Sequence, residues 1–109
     1  MQLITKEIEK RLAEKPLYST DGQNKKEVIC KFFNPCGAGT WYVFEGEKQE
    51  DGNWLFFGLV DLMEKELGYF SLDELKSVKL PFGATIERDL HFENYCYDIT
   101  EDKFEQIKH

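Results

Sequence analysis

Residues 40–70 read TWYVFEGEKQEDGNWLFFGLVDLMEKELGYF, and the fold turns on how this stretch is interpreted. Thr40 to Gln49 is rich in aromatic and β-branched residues, which suit a pleated surface. Strict alternation places Trp41, Val43, Glu45 and Glu47 on one face and Tyr42, Phe44, Gly46 and Lys48 on the other. Both rows begin apolar and end polar, so the strand runs from core toward solvent. Asp51-Gly52 then marks a hairpin, because both residues tolerate positive φ. A two-residue loop pairs Glu45 with Gly58 and Val43 with Val60. A loop that also takes in Asn53 sets Gly46 against Gly58, and the sequence leaves both registers open.

Trp54 to Leu62 is apolar on both faces, as a strand covered from two sides must be. It is therefore expected at the centre of a three-stranded meander. Gly58 interrupts it and signals a bulge or the close approach of another group. Met63-Glu64-Lys65 turns the chain into a third strand, Glu66 to Phe70.

Upstream, Thr5 to Glu14 carries Ile8 and Leu12 in line with Ile4, a narrow apolar stripe that predicts a helix. Thr5 is its cap, and Pro16 ends it. Pro16 to Lys26 reads as a polar loop, and Glu27 to Asn34 as a strand with Val28, Cys30 and Phe32 on one side and Ile29, Lys31 and Phe33 on the other. Gly37 and Gly39 lack the lysine and following helix of a phosphate-binding loop, so they are turn glycines. Downstream, Ser71-Leu72-Asp73-Glu74 is a capping box that opens a short helix from Leu72 to about Val78. Ile86 to Phe92 alternates like an edge strand, Tyr95-Cys96-Tyr97 reads as a brief strand, and Thr100 to Lys108 reads as a final helix. The expected fold class is α+β: one antiparallel meander sheet of about four or five strands, with N-terminal, middle and C-terminal helices packed on it.

The 109 residues make a single domain that needs neither disulfide nor metal to fold. Three cysteines without paired spacing fit reduced thiols. No apolar run reaches membrane-span length and no signal-type apolar segment follows the N-terminus, so the chain reads as cytoplasmic. Net charge is −7, which argues against direct nucleic-acid binding. Residues 1–31 hold seven Lys and Arg against five Asp and Glu, so the acidity belongs to the remainder.

The segments PLYSTDG, KFFNP, TWYVFEGEKQEDGNWLFFGLVD, ELGYFSLDEL and PFGATIERDLHF together resemble an uncharacterised bacterial family catalogued as domain of unknown function 2958. The likeness spans Pro16 to Phe92, with the N-terminal helix (1–15) and the extension 93–109 outside it. It implies a compact domain in plasmid, phage or other mobile-element proteins, and it brings no activity, substrate or cofactor.

Three constellations are candidates for function. Cys30, Cys36, Cys96, His91 and His109 supply metal-binding atoms, but no tight pair of ligands occurs, so neither metal nor cofactor is expected. Glu87, Asp89 and His91 lie on one face of the Ile86–Phe92 strand and hold the parts of an acid–base site, with Arg88 on the other face. Trp41 and Trp54, rimmed by Glu45, Glu47, Glu50 and Asp51, compose an acidic aromatic surface of the kind that recognises proteins. The favoured reading is a small binding or regulatory module with a protein partner, whose contact residues are Trp41, Glu45, Glu47, Trp54, Arg88 and His91. A small enzyme built on Glu87, Asp89 and His91, and an acidic mimic of nucleic acid, are the alternatives.

Overall fold

The structure, a computed structural model, describes residues 1–107. Helix α1 (Lys6–Ala13) is followed by strands β1 (Lys25–Glu27), β2 (Cys30–Phe33), β3 (Thr40–Lys48), β4 (Trp54–Asp61) and β5 (Lys65–Ser71). Helix α2 (Leu72–Ser77), a single 3-10 turn at Pro81–Gly83, and strands β6 (Glu87–Arg88), β7 (Tyr95–Asp98) and β8 (Lys103–Gln106) complete the chain. The strands form two antiparallel sheets rather than the one expected: five strands in the order β5-β4-β3-β2-β6, and three in the order β1-β7-β8. The meander has β4 between β3 and β5, while β3 is the midpoint of the whole larger sheet.

The larger sheet is covered on both faces, which is why β4 is apolar on both. On one side lie Ile8 and Leu12 of α1, packed with Ile29, Cys30, Phe32, Val43 and Phe56. On the other side the small sheet and its approaches bring Tyr97, Ile99 and Phe104 against Tyr42, Phe44, Phe57 and Leu59. Phe32, Phe44 and Phe56 are fully buried, each worth about 1.5–3 kcal/mol of transfer free energy. Thr5 caps α1 by accepting the Ile8 N–H at 3.2 Å, and Ser71 caps α2 by accepting the Glu74 N–H at 3.1 Å, both as the sequence indicates.

Three departures from the sequence reading have identifiable physical causes. The hairpin loop is Glu50-Asp51-Gly52, closed by the Gln49 N–H donating to Asn53 O at 2.7 Å, with Gly52 at φ 88°. Lys48 then faces Trp54, a register different from both alternatives. Second, Glu27 to Asn34 is not one strand. Val28 N–H donates to Tyr95 O and Ile29 N–H to Val43 O, each at 2.8 Å, so consecutive residues bond to different sheets. Val28 turns into the small-sheet core and Ile29 into the α1 core.

The third departure is at the end of the chain. The expected helix from Thr100 is a turn leading into β8, and Lys108 lies outside the described residues. The Thr100 N–H donates to Asn24 Oδ1 at 3.1 Å, Asp98 accepts the Glu101 N–H at 3.0 Å, and Asp102 takes φ 49°, a left-handed conformation that a helix running on from Thr100 does not admit. Phe104 instead packs at 4.5 Å from the Tyr42 ring and 5.0 Å from Tyr97.

A β-bulge falls between Val43 and Glu45: Val43 faces Gly58 and Glu45 faces Phe57, leaving Phe44 as the extra residue. The bulge puts Phe44 and Glu45 on the same face, so Glu45 leaves the row of Trp41 and Val43 that strict alternation gives it. It also brings the β3 backbone down on Gly58, where an added Cβ would stand 1.7 Å from the Tyr42 carbonyl oxygen. At Gly68, paired directly with Gly58, an added Cβ meets nothing within 4 Å.

Two predictions follow from these contacts. Gly58→Ala should cost about 2–4 kcal/mol in denaturant unfolding, or prevent folding, whereas Gly68→Ala should be neutral or gain up to about 1 kcal/mol. Equal effects at the two positions would contradict the bulge. The turn before β8 sets a pH dependence. The Glu101 N–H and then the Asn24 amide hold Asp98 below the usual carboxylate range, as the Tyr97 hydroxyl and then Lys65 do for Asp102. Stability from these carboxylates is present above about pH 4 and is lost as pH falls through their lowered values. Tyr97 acts in the opposite sense: burial, then its bond to Asp102, push the phenol up to about 12. Its contribution is complete below about pH 10 and disappears as pH rises through the folded value. Asp102→Asn should therefore flatten the acid side of a melting-temperature profile, and Tyr97→Phe the alkaline side.

Candidate functional site

The bulge delivers Glu45 into the interior, where its carboxylate is almost fully buried and fully used. It accepts the Tyr18 N–H at 2.7 Å, the Thr20 N–H at 3.0 Å and the Thr20 hydroxyl. Buried Lys26 donates its ammonium to Thr20 Oγ1 at 2.9 Å and to the Thr20 carbonyl, so cation and anion are joined through one threonine. Glu47, on the same face, accepts the Leu17 N–H at 3.1 Å. Glu45 and Glu47 thus fasten the 16–21 loop over the sheet. Trp41 and Trp54 lie on the opposite face, Trp54 buried under α1 and Trp41 half-buried at the margin of the same core. Thr20 and Lys26 were missed by sequence reasoning. The sequence reading takes Pro16 to Lys26 as loop, whereas Lys25 and Lys26 belong to β1, which turns Lys26 inward.

Glu87, Arg88, Asp89 and His91 separate in the structure. β6 is an edge strand that pairs with β2, setting Arg88 opposite Phe32 and Glu87 opposite Phe33. Arg88 Nη1 donates to the carbonyls of Gln2 and Leu3, the latter at 3.0 Å, and so holds the N-terminal segment. Asp89 is 3.4 Å from Lys31 Nζ. Glu87 is half-buried, and His91 is exposed after the strand has ended, with its N–H bonded to Asp89 Oδ1 at 2.9 Å. The turn at Leu90-His91 breaks the alternation that groups His91 with Glu87 and Asp89.

A cleft of about 210 Å3 lies between α1 and β6, walled by Glu7, Arg11, Arg88, Asp89 and Glu93 with Cys30 beneath. Arg11 is engaged there by Glu27 and the Ile29 carbonyl. Burial pushes the Cys30 thiol up to about 12, only partly offset by Arg11 and Arg88, so it behaves as a small apolar side chain rather than a nucleophile. Among the described residues no group of three His, Cys, Asp or Glu side chains is placed to hold a metal ion. His109 lies outside the described residues.

An exposed apolar strip lies on β5. Leu67 and Tyr69 project toward the small-sheet side, opposite Leu59 and Phe57 of β4, yet the small sheet does not reach them. Both are exposed, and the exposed Tyr18 ring stands 6.4 Å from that of Tyr69. The loop fastened by Glu45 supplies Tyr18, so the buried carboxylate positions part of this strip. Glu64, Glu66, Asp21, Asp73 and Glu74 are exposed on β5 itself and on the segments that adjoin the strip in sequence, and Lys65 is 3.4 Å from Asp102. The sequence signal for the strip is the Leu67/Tyr69 spacing of two in a strand that ends a sheet.

These features define an α+β domain of two packed antiparallel sheets, with its buried charged side chains hydrogen-bonded inside and an apolar strip open at an acidic margin. The chain belongs to the family described as Protein of unknown function (DUF2958), which it matches over residues 3–97. The match takes in α1 and part of β7, beyond the Pro16–Phe92 stretch whose motifs carry the resemblance. Comparison with curated proteins and with solved structures finds no match.

The polar groups make distinguishable mutational predictions. Glu45→Gln should cost about 1–3 kcal/mol, because a buried acceptor and the charge facing Lys26 are both lost. It should also speed amide exchange at Tyr18 and Thr20. Arg88→Ala should lower the denaturation midpoint by freeing the Gln2 and Leu3 carbonyls, while His91→Gln should lie within about 0.5 kcal/mol of wild type. A destabilised His91→Gln with an unaffected Arg88→Ala would reverse these assignments.

Proposed function

We propose that the protein is a small cytoplasmic binding module that works through protein contacts at its acidic surface. The observation that carries this reading is the open strip of Leu67, Tyr69 and Tyr18. Most other aromatic residues are packed between layers, whereas these rings and the leucine lie side by side in solvent beside unengaged carboxylates. Clustered apolar side chains with a charged rim are the composition of a protein-recognition surface. The distribution of polar groups supports the same class. Glu45 and Arg88 are committed to fastening loops, and Asp89 to an ion pair with Lys31 and to the backbone N–H of His91. A mobile-element setting, implied by the family resemblance, is part of the proposal.

The test is site-specific photo-crosslinking in cells of the native host. A benzophenone amino acid at Tyr69 is expected to give a discrete protein adduct that is absent when the same probe replaces Lys10, on the exposed side of α1. No adduct at Tyr69, or the same adducts at both positions, would overturn the reading.

A further inference from the structure

Four strands end a sheet in this molecule, β5, β6, β1 and β8, and β5 is the longest at seven residues. The hydrogen-bond phase shows which of its backbone groups are unused. Gln49 bonds to Asn53 where the β3–β4 ladder begins, so Leu55 and Phe57 of β4 bond toward β3 while Phe56 and Gly58 bond toward β5. Their partners on β5 are Phe70 and Gly68. Lys65, Leu67 and Tyr69 therefore direct their N–H and C=O groups outward, away from β4. Exposed edges usually carry a proline, a bulge or a free lysine that discourages pairing. β5 has no proline, its register with β4 is unbroken, and its one lysine is tied to Asp102.

The side chains along this edge specify what would pair with it. On the small-sheet side Leu67, Tyr69 and Tyr18 offer apolar contact. On the other side Glu66 is exposed, and Gly68 leaves open space beside it. Exposed Glu64, Asp73 and Glu74 extend the acidic margin toward both ends of the strand. The geometry points to β5 as the docking edge for an extended segment of a partner protein, in which apolar or aromatic residues alternate with lysine or arginine. This rests on the reading of the protein as a binding module and names the chemistry of its partner. The segment adds a sixth strand to the larger sheet. Its apolar residues cover Leu67 and Tyr69, and its basic residues lie beside Glu66. A second copy of the chain is the poorer fit, since each copy carries a net charge of −7 and repeats the same acidic margin.

The probe is a display library of random decapeptides panned against the whole protein. The expected result is enrichment of peptides with apolar and basic residues in alternation. Binding of an enriched peptide should weaken at least tenfold in Glu66→Lys and be lost in Leu67→Pro. That proline removes an outward N–H the sheet does not use, so the variant should retain the wild-type circular dichroism spectrum and cooperative melting. Should Leu67→Pro fail to fold, protection of the Leu67 and Tyr69 amides by peptide serves instead. Exchange at both must slow on adding peptide to the wild-type protein, while unchanged exchange overturns the proposal. Enrichment of acidic or non-alternating peptides, no enrichment, or concentration-dependent self-association through β5 would also overturn it. A Tyr69 crosslink obtained together with any of these results would leave the binding-module reading standing and remove only the strand-addition inference.

Discussion

A buried carboxylate sets the terms for much of this structure. Glu45 is inside because an extra residue in β3 rotates it onto the face that already holds Phe44. An ionised group in such a place is tolerated only when its hydrogen-bonding capacity is filled and a counter-charge is near. The 16–21 loop meets the first need with two backbone N–H groups and a hydroxyl, and Lys26 meets the second through Thr20. The loop in turn has little apolar material of its own with which to pack. Its position over the sheet follows from the charge it encloses, and Tyr18 reaches the β5 surface because of that position.

The bulge and the sheet-to-sheet crossing at Val28-Ile29 serve one geometric end. A single antiparallel sheet cannot bury the aromatic content of this chain on one face. Here β3 and β4 are covered twice, by α1 on one side and the three-stranded sheet on the other. The segment 25–33 makes both layers possible by changing partners between consecutive residues. Gly58 is the counterpart on β4, where the absence of a side chain lets the bulged backbone close in.

The elements read correctly from sequence are those whose signals are local. The caps at Thr5 and Ser71, the Asp51-Gly52 hairpin and the two-sided apolar strand from Trp54 need only neighbouring residues to be interpreted. Gly58 reads as a bulge or a close approach; the close approach is there, and the bulge lies opposite it on β3. The misreadings came where a distant group outbid the local pattern. Asn24 binds the N–H and hydroxyl of Thr100, and the facing side chains of Tyr42 and Tyr97 draw Phe104 into a strand. Alternation misplaced Glu45 because a bulge has no residue signature on the strand that carries it; the glycine marking it stands on the partner strand. The polar groups at 87–91 looked like one cluster because extended backbone was assumed throughout, and the turn after Asp89 removes His91 from it.

The crossing segment also has a bearing on how the chain assembles. The β3–β4–β5 meander is joined by short turns and can form from contacts between near neighbours. The small sheet pairs residues from opposite ends of the chain: Asn24 and Asp98, which bond directly, are 74 positions apart. Closing so long a loop is entropically costly, and such contacts form late. Until they do, Tyr42, Phe44 and Phe57 stand uncovered on the face of a sheet whose β5 edge is also open. Cover for that face therefore depends on the contacts of greatest sequence separation, such as Asn24 with Asp98.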